Sequence, residues 1–398
     1  MKIKIFIFVL YFFLLFHSYE SARFIFEKEW IIEGEAGMEY FFNSSFIYNG
    51  TGQNVLSMGS ENGYFENSGD NIYLISNGSM NGSLQTISAY AIIEVNHSPF
   101  LTKDEPLVWF KEPENDLEKT ARNLSLPSSK AKTLIKLVGW FNSELEYNLK
   151  DSGNTDPAIV YEKKSAVCNG YSNLLLYYLG YLKIENRKIY GYTFSEDWQE
   201  HVWAEAKISE EWIGIDPTFG QIGLLSSNHI KTFVSDNKNE PESKLYFTGK
   251  STNFYSKTKI EKFSSSQLQG GIIHIATAHK RRVDVFISNP TQKYIFVSYQ
   301  FHFPEGWGEN NDEIIFIGPK ETIIQTQKLS FDPWEAKSNT EYLVPYIISI
   351  MGEKTQRTID YNPQNQFLSQ NDDFFCLSAY LLVVPLFLIS FFKPAFWY

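Results

Sequence analysis

"SAVCNGYSN" occupies Ser165–Asn173 and decides how the chain is read. It holds Cys168. The only other cysteine is Cys376, in an apolar stretch near the C-terminus. A thiol in an oxidising compartment ordinarily has a disulfide partner. Cys168 has none in the polar part of the chain, so it is either an inert buried residue or a thiol wanted free.

The ends of the sequence make the compartment an issue. Met1–Ala22 reads as a secretory signal: lysines, an apolar run from Ile5 to Phe16, then small residues Ser21 and Ala22. Cleavage after Ala22 and retention as an anchor are both open. Residues 374–392 carry no charge, with Asp372 and Asp373 before them and Lys393 after. That length suits one transmembrane helix. The flanking charges put the C-terminus inside and the bulk outside the cell membrane. Six glycosylation sequons, at Asn43, Asn49, Asn77, Asn81, Asn96 and Asn123, agree with export. A net charge of -11 and 17% aromatic residues argue against a nucleic-acid partner. The richness in lysine, isoleucine and asparagine is that of an AT-rich microbial or archaeal genome.

Working outward, residues 23–112 read as short strands broken by Gly, Asn and Ser, hence a β-sandwich-like domain. Helical spacing follows in "ENDLEKTARNL" and "SSKAKTLIKLVGWFNSELEYNL", with Ser128 or Ser129 as a cap for the second. The third helix begins at Cys168. Strands "HVWAEAKI" and "EWIGID" come next, within a unit spanning 113–262. Residues 263–360 again alternate as strands, as an immunoglobulin-like β-sandwich does, and 361–373 form a linker.

Cys168 stands at the start of a helix, where unpaired N–H groups and the dipole favour a thiolate. Gly170 lets another backbone or a substrate come close. In the strand pair, Val202, Ala204, Ala206 and Ile208 share a face, as do Ile213 and Ile215. Pairing Val202 with Ile215 and Ala204 with Ile213 matches these faces and leaves Ile208 and Ser209 as the turn. It sets His201 opposite Asp216 and Trp203 opposite Gly214. Cys168 as nucleophile, His201 as base and Asp216 as orienting group fit acyl transfer. His97, His229, His274, His279 and His302 share no comparable frame with a carboxylate. One thiol and scattered histidines give no metal-ligand spacing, and no cofactor motif is present.

Together "SAVCNGYSNLLLYYLGY" and "EHVWAEAKISEEWIGIDPTFGQ" resemble the core of the transglutaminase-like superfamily. Cys168, His201 and Asp216 fall on its Cys, its H-x-W-x-E histidine and its D-P-T aspartate, and Ala166 and Ser172 replace its usual Gly and Ala. The resemblance implies an α+β papain-like transglutaminase core, which the strand patterns and apolar segment above flank with two β-sandwich domains and one C-terminal transmembrane helix. It also implies thiol acyl chemistry, as amide hydrolysis, deamidation or amine transfer. With the chain ends as read above, the expected substrates are peptides or protein at the cell surface, hydrolysis first and amine transfer with cross-linking as the alternative. Some relatives add an upstream oxyanion donor, for which Trp140 and Gln199 are the candidates. A non-catalytic adhesion or scaffold module is the reading from a different class.

Overall fold

The computed structural model describes residues 15–108, 111–235, 240–250, 253–279, 282–330 and 342–361. The expected transmembrane segment 374–392 and linker 361–373 lie outside these residues, apart from Tyr361. So do positions 1–14 of the expected leader. Among the described residues, no helix is long and apolar enough to cross a membrane.

The chain opens with seven strands: β1 (Leu15–Glu33), β2 (Glu39–Tyr48), β3 (Gln53–Glu61), β4 (Tyr64–Ser68), β5 (Asn71–Ser79), β6 (Leu84–Val95) and β7 (Phe100–Leu101). Thus the last part of the expected leader, residues 15–22, is the start of β1. Alternation along β1 sends Phe24, Phe26, Trp30 and Ile32 to one buried face. They meet Phe42 and Phe46 of β2, with Trp30 and Phe42 ring centroids 5.3 Å apart. Period-two burial of large apolar side chains is what drives two sheets together.

A mainly helical stretch follows. It contains α1 (Asp116–Leu124), α2 (Lys130–Glu144), the two-residue strands β8 (Glu146–Tyr147) and β9 (Ser165–Ala166), α3 (Pro157–Lys163) and α4 (Cys168–Tyr181). Asn115 caps α1 through Glu118 N–H, and Ser129, not Ser128, caps α2 through Lys132 N–H. Asp156 caps α3, with Pro157 at its first position, a pairing that satisfies free N–H groups and presets φ.

An antiparallel sheet then forms from β10 (Asn186–Phe194), β11 (Trp198–Ile208), β12 (Glu211–Asp216), β13 (Gln221–Ile222) and β14 (Ile230–Ser235), in the order β13-β12-β11-β10-β14. Ala204, Ala206, Ile208, Ile213 and Ile215 pack under the helices with Leu174, Leu175, Tyr178 and Leu179 of α4. Trp203, Ile189 and Val234 on the other side meet Tyr48 of the first sandwich. The sheet is therefore clamped between helices and sandwich.

The remaining strands are β15 (Ser243–Phe247), β16 (Asn253–His279), β17 (Arg282–Ser288), β18 (Tyr294–His302), β19 (Asn311–Ile317), β20 (Thr322–Lys328), β21 (Tyr342–Ile350) and β22 (Glu353–Tyr361). Here the sequence boundaries shift. β15 and the first half of β16 complete the N-terminal sandwich by pairing with β2 and β1. β16 then runs on to pair with β17, so the expected 262/263 border falls inside one strand. β7 joins β18 of the C-terminal sandwich. Its core holds Val283, Val285, Ile287, Val297, Tyr299, Val344, Tyr346 and Ile348. Long-range pairing leaves no local trace in sequence, which is why these strands read as belonging to the wrong neighbours.

Candidate active site

Cys168 is the first residue of α4, and Val167 before it offers no side-chain cap. The first N–H groups of the helix are thus left to other partners. Gly170 sits where a Cβ would lie 2.4 Å from the Asn154 carbonyl oxygen and 2.6 Å from Ala166 Cβ. The close approach anticipated at this glycine is that of the 148–156 segment. Asn154 also donates to the Ser165 carbonyl at 3.2 Å. Ser172 donates to the Val202 carbonyl at 2.9 Å, pinning α4 to β11.

His201 and Asp216 lie on one face of β11 and β12, but their register differs from the expected one by two residues. Ala204 pairs with Ile215, Ala206 with Ile213 and Ile208 with Glu211. The turn is Ser209–Glu210, with φ of 48° and 67°, the paired positive values of a type I′ hairpin. The physical reason is Ile208. In the expected register it would occupy the turn, whereas here it is fully buried among the other apolar residues of its face. A two-residue slip keeps every side chain on its face. His201 and Asp216 are therefore diagonal neighbours, and His201 Nε2 donates to Asp216 Oδ2 at 2.7 Å. Glu205, not Trp203, stands opposite Gly214.

With Nε2 directed at the carboxylate, Nδ1 is the ring nitrogen left for Cys168, whose thiol lies near enough for each group to shift the other's titration. Burial pushes the Cys168 thiol up. The hydrogen bond and charge of His201, with backbone N–H groups of Val202 and Asn169, outweigh it and hold the thiol below its ordinary value. Burial likewise works against the His201 cation, yet Asp216 and Cys168 raise it to about 9. Asp216 is fully buried, which disfavours its charge, but its donors win and hold it well below the carboxylate range. The donors that do this are the imidazoles of His201 and His229, while Thr218 and Phe219 N–H hold the other oxygen, Oδ1, at 2.9 and 3.3 Å. The Pro217 turn after β12 thus wraps the carboxylate in donors.

One residue of this cluster escaped the sequence reading. His229, 1% exposed, donates Nε2–H to the same Asp216 Oδ2 at 2.9 Å. The expectation that no other histidine shares a carboxylate frame is corrected here: β14 lies beyond β10 in the sheet, and no sequence spacing relates it to β12. Ligand atoms of His201, Asp216 and His229 all lie within 4.8 Å of one another, a spacing a metal ion could use. Both imidazoles, however, meet a single carboxylate oxygen at hydrogen-bond lengths. Their other nitrogens are engaged by Cys168 and by Ser226 Oγ at 2.9 Å. The arrangement is a hydrogen-bond relay.

Of the two upstream oxyanion candidates, Trp140 stacks on Tyr161 and under Lys164, within the helical core. Gln199 is exposed, two residues before His201. Tyr147 is better placed than Trp140. It pairs with Ala166 across β8 and β9, is 48% exposed, and feels the charges of Cys168 and Asp216, which after burial raise its phenol. Phe219, also exposed, lies 5.2 Å from the His201 ring. It borders a groove of about 360 Å³ that runs from Asn142 and Gln221 to Ser298, Gln300 and Asp312 of the C-terminal sandwich.

A helix-borne thiol bonded to an imidazole that is itself bonded to a buried aspartate is the equipment of a cysteine-dependent enzyme. Residues 118–217, about a quarter of the chain, match the transglutaminase-like superfamily. All of Cys168, His201 and Asp216 fall inside that segment, and His229 falls outside it. No curated protein sequence matches the chain. Among solved structures it is similar to a candidate cysteine protease from Cytophaga hutchinsonii (14% identity, 63% of this chain and 95% of that one, TM-score 0.44). It is also similar to the periplasmic domain of TgpA from Pseudomonas aeruginosa bound to ethylmercury (12%, 51% and 90%, 0.28). A third similarity is to red sea bream transglutaminase (9%, 82% and 77%, 0.23).

Proposed function

We propose that this protein is a membrane-anchored cysteine enzyme that faces out of the cell and hydrolyses amide bonds in peptides or surface protein. The observation that carries the reading is the Cys168–His201–Asp216 series, in which Asp216 holds the imidazole at 2.7 Å and the imidazole, itself raised, lowers the thiol. In this reading, the Cys168 thiolate attacks the carbonyl carbon, and a C–S bond forms as the carbonyl oxygen takes the electron pair. N–H groups at the start of α4 stabilise that oxyanion. His201 Nδ1 passes its proton to the leaving amine, and the C–N bond breaks to give a thioester. Water, deprotonated by His201, then releases the acid and restores the thiol. Asp216 keeps the second proton of the imidazole on Nε2 throughout. A primary amine in place of water gives cross-linking by the same steps.

The apolar segment 374–392 and the leader-like start support anchoring, with a cytoplasmic C-terminus. Fractionation and protease protection of intact cells test it: release of the full chain without detergent would sink it. Activity is tested by iodoacetamide alkylation of Cys168 across pH, beside His201→Ala. Rapid alkylation well below the ordinary thiol value of about 8.5, lost in the variant, is the expected outcome. A slow rate, unchanged by the substitution, favours a scaffold role. Incubating peptides with and without a primary amine separates hydrolysis from transfer.

A further inference from the structure

We propose that His229 is a positioning residue of this site, a second imidazole that shares Asp216 with His201 and fixes where the carboxylate stands. The inference rests on the thiol–imidazole–carboxylate reading above. Asp216 Oδ2 takes the Nε2–H of His201 at 2.7 Å and that of His229 at 2.9 Å. An ionised carboxylate oxygen has two lone-pair sites, so Oδ2 is full. Oδ1 is held by Thr218 and Phe219 N–H. The carboxylate cannot turn away from His201 without breaking its bond to His229.

His229 is itself fixed. Trp203 meets its ring edge-on at 5.2 Å, and Phe219 does so at 6.1 Å. Its Nδ1 lies 2.9 Å from Ser226 Oγ, and its carbonyl accepts from His97 Nε2 at 3.1 Å. A histidine needed only for packing has no reason to place its donor on the one oxygen that orients the base. Cys168 of α4, Tyr147 of β8, Lys188 of β10 and His97 after β6 are the other titratable groups facing the cluster, and Lys231 and Glu205 lie beside His97. None of these replaces the His229 donor on Oδ2.

The test uses the full chain and the pH profile of Cys168 alkylation by iodoacetamide, in the native protein, His229→Ala, His229→Leu and His229→Gln, each with its melting temperature. The glutamine amide can donate to Oδ2, whereas leucine fills space without a donor. The alkylation midpoint is expected to rise by about half a pH unit or more in the alanine and leucine variants. The rate at neutral pH is expected to fall several-fold, and glutamine to restore most of both. Midpoints unchanged in folded His229→Ala or His229→Leu, with only the melting temperature lowered, would overturn the proposal and leave the active-site reading standing. An ordinary midpoint in the native protein would overturn both.

Discussion

His201 and Asp216 are diagonal neighbours across β11 and β12, joined Nε2 to Oδ2 at 2.7 Å. A diagonal contact depends on the full length of the imidazole and on a fixed acceptor. Asp216→Asn keeps the shape but loses the charge and aims an amide at two N–H donors. Cys168 alkylation at neutral pH should then fall by about tenfold, the effect of one pKa unit. Stopped alkylation with mass-spectrometric readout at Cys168 checks it. An unchanged rate would mean the carboxylate does not govern the base.

The same pair sets a pH window for stability. Asp216 is held far below the ordinary carboxylate value of about 4. Its contribution is therefore present above that value and is lost as pH falls toward its folded value. His201 is raised to about 9. Its contribution is complete below the unfolded value of about 6.5 and fades as pH rises through about 9. Urea midpoints should decline on both sides, and His201→Ala should flatten the alkaline decline. An alkaline decline of the same size in that variant would contradict the assignment.

Lys231 and Glu205 form a fully buried ion pair, to which Arg187 adds a bond to Glu205 Oε2 at 2.7 Å. Lys231 Nζ also donates to the Thr51 carbonyl of the first sandwich at 2.6 Å. Removing Glu205 strands the buried Lys231 charge, at a cost of about 3–5 kcal/mol. Glu205→Gln should lower unfolding free energy by about that much, and adding Lys231→Met should recover part of it. A loss below about 1 kcal/mol would mean that water reaches the pair.

Gly170→Ala puts a methyl group 2.4 Å from the Asn154 carbonyl oxygen. Overpacking of this kind costs about 1–3 kcal/mol, and relief must come from the segment just before Cys168. The variant should lose both stability and alkylation rate, as calorimetry and thiol labelling would show. A stable variant with native reactivity would place the slack elsewhere.

Much of the site was legible because its elements are local. Capping by Ser129, the apolar run after Cys168 and the alternation around Val202–Ile208 each declare themselves within a dozen residues. Alternation also identified the shared face of His201 and Asp216, although it misjudged the pairing by two, since such a slip leaves all faces unchanged. The short helix Pro157–Lys163 carries only its Asp156 cap and leading proline as marks, because seven residues are too few to show an apolar period. His229 carried no mark at all. Only the placement of β14 beside β10, with a carboxylate two strands further on, gives that imidazole its partner.

β1 pairs with β6 on one edge and β16 on the other. The first neighbour follows within the same domain, but the second begins at Asn253, more than two hundred residues after β1 ends. At ribosomal rates of about 5–20 residues per second, that gap lasts roughly 10–45 seconds. During that time one long edge of β1, with its row of unpaired N–H and C=O groups, is a template for any other nascent strand. The catalytic module is made entirely within this interval. The thiol and its imidazole are synthesised before the strand that completes the sandwich beneath them.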